Sequence, residues 1–240
     1  MAVNVAAAIG EWGRKALVVD IDPQADASTM LGVDPGEAEH TIYEVLTGAC
    51  ELPEAIAHDV AAGVDLVIGS ERMADVELTL AGQMMRERYL ADALSGHTAA
   101  YDLVLLDCPP NLGLLTVNAF CAAPEVLVVV SMTDRNAYKG AMALCTTVNE
   151  LRRKGVSVAV TGIVRNSVDT HRSTYRLLNQ ALISAGLPVL KAEIPMRADF
   201  QNAVTAGVPL VCFSPDHIGA EAMRRLAGEL LDGRQAQQAA

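Results

Sequence analysis

One stretch limits the fold of this chain more than any other: Ala16-Leu-Val-Val-Asp20-Ile-Asp22-Pro23-Gln24. Four apolar residues end in two carboxylates, and the proline that follows cannot donate to a sheet ladder. An unbroken apolar run of this length reads as a parallel strand buried on both faces. Its end lies on the carboxyl edge of an α/β sheet, the edge where open α/β folds bind ligands. The run Asp102-Leu-Val-Leu-Leu-Asp107-Cys-Pro109-Pro110 repeats the pattern and brings Asp107 to the same edge. A single carboxylate at a strand end commonly does no more than cap the next turn. Three of them on one edge repel one another unless a cation or hydrogen-bond donors compensate. Asp20, Asp22 and Asp107 therefore suggest a bound Mg²⁺ with the phosphates it carries, and metal-assisted phosphoryl transfer.

The remaining chain alternates in period. Ala2 to Trp12 is an Ala-rich helix pattern stopped by Gly13. Thr41 to Thr47 and Leu52 to His58 read as short helices, Val64 to Ile68 as a strand, and Glu71 to Leu94 as two helices. After the second acidic strand, Leu114 to Ala122 is helical and Val126 to Ser131 is a buried strand. Ala137 to Arg153 is a helix with cations at its negative end. Val156 to Val164 and Val189 to Ile194 are strands, and Arg172 to Ala185, Phe200 to Ala206 and Asp216 to Leu231 are helices. The Gln/Ala-rich residues 233–240 read as a flexible tail beyond one domain of residues 1–232. Without a linker or repeat, the alternation predicts one doubly wound, mostly parallel sheet flanked by helices.

Composition removes several function classes. A formal charge of −11 over 240 residues means that DNA contact must come from a local basic patch, not from the overall field. Five scattered cysteines form no CxxC pair, which argues against zinc sites and disulfide frameworks and for a reducing cytoplasm. The most apolar run, Val126 to Val130, is too short to span a bilayer. The five histidines lack metal-ligand spacing, and Cys108 has no histidine in a recognisable motif. Asn166, directly after a strand, is either a turn residue or an amide placed for a purine edge.

These motifs together resemble the ParA/MinD group of P-loop ATPases, most closely the Soj-like ParA branch of plasmid and chromosome partition. Asp20-Ile-Asp22-Pro23-Gln24-Ala-Asp-Ala-Ser28 is similar to that branch's switch I. Asp107-Cys-Pro-Pro-Asn-Leu-Gly-Leu-Leu-Thr-Val-Asn-Ala119 is similar to its Walker B and switch II. Ile194-Pro195-Met-Arg-Ala-Asp-Phe-Gln-Asn-Ala203 through Gly207-Val-Pro209 matches its late signature. The resemblance runs from Met1 to about Leu231. It implies ATP and Mg²⁺ as cofactors, with Asp22 positioning the water that attacks the γ-phosphate, Asp107 holding Mg²⁺, and Asp20, Asn166 and Pro195 at the nucleotide.

The same resemblance implies an ATP-dependent homodimer that binds nonspecific DNA of the nucleoid in the cytoplasm and is switched by a ParB-type centromere-binding protein. No membrane partner is implied, because the tail lacks the basic amphipathic character of a membrane helix. Two departures stand out. The Lys-Gly-Gly-x-Gly-Lys-Thr-Thr phosphate loop of the family is absent, and Met1-Ala-Val-Asn-Val-Ala resembles what normally follows it. Met1 then reads as an internal methionine of an N-terminally truncated sequence that lacks the central first strand, the P-loop, its lysines and its threonine. In that form the chain is expected to leave neighbouring strand edges unpaired and to lack ATP turnover. The alternative is a nucleotide-dead ParA-like regulatory or adaptor protein. The second departure is Asp199, which stands where chromosomal relatives commonly carry a basic residue and favours a plasmid-type or divergent ParA.

Overall fold

The computed structural model describes residues 1–238, with side chains described through residue 233. Helix α1 (Ala2–Glu11) leads into strand β1 (Ala16–Asp20), followed by the short helices α2 (Asp26–Met30) and α3 (Ile42–Thr47). A 3₁₀ turn at Leu52–Ala55 precedes β2 (Ile56–Ala61) and β3 (Val64–Val67), and then come α4 (Val76–Thr79), α5 (Tyr89–Leu94) and β4 (Leu103–Asp107). The second half runs α6 (Leu114–Ala122), β5 (Glu125–Ser131), α7 (Arg135–Arg153), β6 (Ala159–Val168), α8 (Ser173–Ser184) and β7 (Val189–Pro195). It closes with α9 (Asp199–Thr205), α10 (Leu210–Phe213) and α11 (Ile218–Gln238).

The strands form two sheets rather than one. The first has the order β2-β3-β1-β4 and the second the order β5-β6-β7. All pairings are parallel except β2 with β3. The split falls between β4 and β5, each of which pairs on one side only. The antiparallel β2 lies where a helix was expected from Leu52 to His58. A two-residue connection, Ala62-Gly63 with Gly63 at φ +69°, turns it directly into β3, and a hairpin of this length overrides the local helix pattern. Between Glu71 and Leu94, two short α-helices and two 3₁₀ turns replace the two expected helices. The last helix continues through Gln238, past the expected start of a tail at residue 233; Ala239 and Ala240 lie outside the described residues.

Both faces of β1 are buried, as its apolar run requires. Ala16 and Val18 join a core with α1 and α11, while Leu17 and Val19 face α3, α5 and α6. The second sheet is covered by α7 and α8 on one side, where Val128, Val130 and Ile163 meet Ala141, Cys145, Leu178 and Leu182. Its other side, through Val164, Ala192 and Ile194, shares the α1 and α11 core with the first sheet. One apolar layer therefore holds both sheets. Polar ties reinforce it: Arg224 of α11 makes a bidentate pair with Glu11 of α1, and the buried Asn4 accepts the Leu210 amide at 2.6 Å. Glu229 of α11 takes the Lys191 and Ala192 amides of β7, which satisfies part of that edge strand.

Candidate active site

The parallel pairing of β1 and β4 sets the centre of the site. Asp20 stands directly opposite Asp107 in the ladder, and the Ile21 amide donates to the Asp107 carbonyl at 3.0 Å. The two acidic strand ends recognised in the sequence therefore meet at one point.

Asp20 is completely buried. One oxygen, Oδ2, accepts both the Ser28 hydroxyl at 2.8 Å and the Ser28 amide at 2.9 Å. The other, Oδ1, is buried without a partner. Burial raises the proton affinity of this carboxyl most; the Ser28 bonds oppose that, and the Asp107 charge adds to it, leaving a pKa of about 6. Asp107 is also pushed upward, first by burial and then by the charges of Asp22 and Asp26, with the charge of the Met1 amino group opposing them. Met1, which precedes the first turn of α1, therefore lies near Asp107.

Asp22 lies in the loop between β1 and α2. Its Oδ1 accepts the Gln24 amide at 3.0 Å and its carbonyl accepts the Ala25 amide at 2.9 Å. Ala25 turns the loop with a left-handed backbone, φ 50°. The structure therefore brings Asp20, Asp22 and Asp107 together, with Asp26 near them.

Asn166 and Pro195 are placed on the second sheet. Asn166 stands opposite Ser131 in β6, and its carbonyl accepts the Met132 amide at 2.8 Å. Pro195 is the last residue of β7, opposite Val168. Both lie toward the carboxyl ends of their strands, but among the described residues no hydrogen bond or ion pair joins either to the acidic cluster. Among the described residues, no group of three or more His, Cys, Asp and Glu side chains is placed to hold a metal ion.

Several residues of the site carry no sequence signal of their own. Gly69, just after β3, donates its amide to the Ser28 hydroxyl at 2.8 Å. Ser28 lies within the switch-like motif, but its two bonds to Asp20 span eight residues and no periodicity reveals them. The loop after Asp107 is anchored by Thr116, whose hydroxyl donates to the Asn111 carbonyl at 2.5 Å. Glu77 of α4 caps the first turn of α6 by accepting the Leu114 amide at 2.6 Å. Asn118 of α6 accepts the Leu90 amide and donates to the Arg86 carbonyl, so the 77–90 segment is tied to α6 at two places.

The AAA domain family matches residues 1–159 of this chain. The chain is 30% identical to the chromosome partitioning protein ParA of Caulobacter vibrioides, across 99% of this chain and 90% of that protein. It is 28% identical to the sporulation initiation inhibitor protein Soj of Bacillus subtilis, across 95% of this chain and 90% of that protein. In three dimensions it is similar to cobyrinic acid a,c-diamide synthase from Mycobacterium smegmatis solved with a bound ATP analog and magnesium. That likeness has a TM-score of 0.83 at 27% identity and covers 98% of this chain and 89% of the other.

Proposed function

The chain belongs to the AAA-domain family of ParA/MinD-type P-loop ATPases, and we propose that it works as a ParA-type partition ATPase. In this reading it dimerises with ATP, binds nucleoid DNA nonspecifically and moves a plasmid or chromosome in response to a ParB-type partner. The observation that carries the reading is the pairing of Asp20 with Asp107 at one sheet edge, with Asp22 in the loop that follows.

The residues fit Mg²⁺ of the kind that rests on a single carboxylate. The orphaned Oδ1 of Asp20 and the like charges around Asp107 call for a cation or a donor. With no three-residue donor set, the remaining ligands would be water and phosphate oxygens, as Mg²⁺ prefers. ATP with Mg²⁺ supplies the γ-phosphoryl group and the charge that offsets it. Asp107 would hold the ion through water. Asp22, with Oδ1 committed to Gln24, keeps Oδ2 to accept a proton from the attacking water and orient it. Asp20, Asn166 and Pro195 would border the nucleotide.

In this reading a phosphate loop approaches the acidic edge from between the two sheets. Two observations support this: β4 and β5 are both apolar strands with one unpaired edge, and Val129 of β5 is 45% exposed despite lying in an all-apolar run. A parallel strand between them would complete one sheet and lead through a loop into α1, as the sequence motif requires.

Intact mass and N-terminal peptide mapping of the natively expressed protein test the proposal first. We expect a mass above 25.3 kDa and a peptide containing Gly-Lys-Thr. In that full-length form, Asp22→Ala should lower ATP hydrolysis by roughly 100-fold or more while ATP binding persists. A native protein that starts at Met1 and turns over no ATP would transfer the assignment to the adaptor alternative. Unchanged turnover in Asp22→Ala would remove Asp22 from its role.

A further inference from the structure

We infer that Ser28 and Gly69 are positioning residues that latch the Asp22 loop to the strand ends through the buried carboxylate of Asp20. The catalytic consequence rests on the ATPase reading; the latch itself does not.

The latch is a single chain of hydrogen bonds. The Gly69 amide donates to Ser28 Oγ at 2.8 Å, Ser28 Oγ donates to Asp20 Oδ2 at 2.8 Å, and the Ser28 amide donates to the same oxygen at 2.9 Å. Asp20 and Ser28 are both fully buried, so these bonds do not compete with water. The chain fastens three parts of the fold at one point: the end of β1, the middle of α2 and the second residue after β3. The loop carrying Asp22 is strung between two of those points, from Asp20 to Ser28. Its inner turns, Gln24 on Asp22 and the left-handed Ala25, are local and exposed or short. They set the shape of the loop but do not attach it to the sheet.

Gly69 is required for closeness rather than flexibility. A Cβ at that position would lie 2.6 Å from Asp20 Oδ2 and 2.7 Å from its Cγ, and 3.1 Å from the Ala25 Cβ. A methyl group at residue 69 would therefore force either the carboxylate or residue 69 to shift and disturb the Gly69–Ser28–Asp20 chain without removing a single donor.

Hydrogen exchange of the full chain tests the latch without nucleotide. Ser28→Ala should accelerate amide exchange across residues 24–31 by about tenfold, and Gly69→Ala should do the same, while β6 and β7 keep their protection. Asp20→Asn, which keeps an oxygen able to accept both Ser28 donors, should leave the loop protected. In the full-length protein, Ser28→Ala should lower kcat for ATP by about tenfold with KM within twofold, and Asp20→Asn separates loop anchoring from charge. If Gly69→Ala does not fold, Ser28→Ala decides alone. Unchanged loop exchange in Ser28→Ala, or acceleration spread evenly over both sheets, overturns the latch even where the parent hydrolyses ATP. Faster loop exchange with unaltered kcat overturns the positioning role. A parent without turnover overturns the ATPase reading and leaves the exchange result standing as a test of the latch.

Discussion

The two sheets bury charge in opposite ways. On the second sheet, Arg165 of β6 is paired with Glu193 of β7 at 2.6 Å, donates to Asn179 of α8 at 2.9 Å and reaches the Leu190 carbonyl at 2.7 Å. Tyr175 adds its hydroxyl to Glu193 at 2.8 Å. Opposite charges meet, and the two terminal nitrogens of Arg165 find acceptors while its buried Nε does not. On the first sheet, Asp20, Asp22 and Asp107 are like charges gathered at one edge, one oxygen has no partner, and two of the three carboxyls are pushed upward. A network of paired opposite charges holds elements in place. A cluster of like charges costs stability and fits a site that awaits a ligand.

If that contrast is right, removing charge should have opposite signs in the two places. Arg165→Ala is expected to give the largest change. It leaves Glu193 without its cation and the Asn179 and Leu190 oxygens without their donor, in a side chain only 11% exposed. Breaking a buried pair costs about 3–5 kcal/mol, and the partial exposure of Glu193 places this one near the lower end, at about 3 kcal/mol by urea denaturation. A loss under 1 kcal/mol would mean that the second sheet does not depend on its network.

Asp20→Asn should move stability the other way. The folded pKa of Asp20 is raised from 3.8 to about 6, so its ionised form disfavours folding. For a group raised in the folded state, the favourable contribution is complete below the unfolded pKa and is lost as pH rises through the folded one. The window is therefore about pH 4 to 6, and the loss across it is about 3 kcal/mol at most. Asn keeps the Ser28 acceptor and removes the charge. Its variant should be more stable than the parent by about 1–3 kcal/mol at pH 7.5 and should match it at pH 4. Equal stability at both values would show that Asp20 carries no such penalty.

The same contrast explains what could be seen in the sequence. Asp20, Asp22 and Asp107 were legible because they end apolar runs and precede prolines, signals confined to a few adjacent residues. The helices α1, α7 and α8 were legible from their period and their glycine or cationic ends, and α6 from its apolar helical run. The Ser28 latch was not, since Gly69 and Ser28 are 41 residues apart and only the folded sheet brings them together. The antiparallel β2 was hidden because His58 and Asp59 interrupt any alternation, and a two-residue turn decides its pairing. The single sheet expected from strand alternation became two because alternation states the order of elements and not which edges pair.

The smallest effect tests whether the first sheet's openness extends to the loop after β4. Glu77 is exposed, but it caps α6 through the Leu114 amide, and a Cβ on Gly113 would lie 2.4 Å from the same carboxylate oxygen. The glycine thus admits a cap that comes from a different helix instead of from the residue before α6, where no side-chain cap is made. Glu77→Ala removes an acceptor for one helix-end donor and a negative charge at the positive end of the dipole, together worth about 1 kcal/mol. Because Asn118 still ties α6 to Arg86 and Leu90, the loss should be confined to the helix start. Residues 111–116 should exchange faster while residues 118–122 keep their protection. Faster exchange along all of α6 would mean that Glu77 holds the whole helix rather than only its first turn.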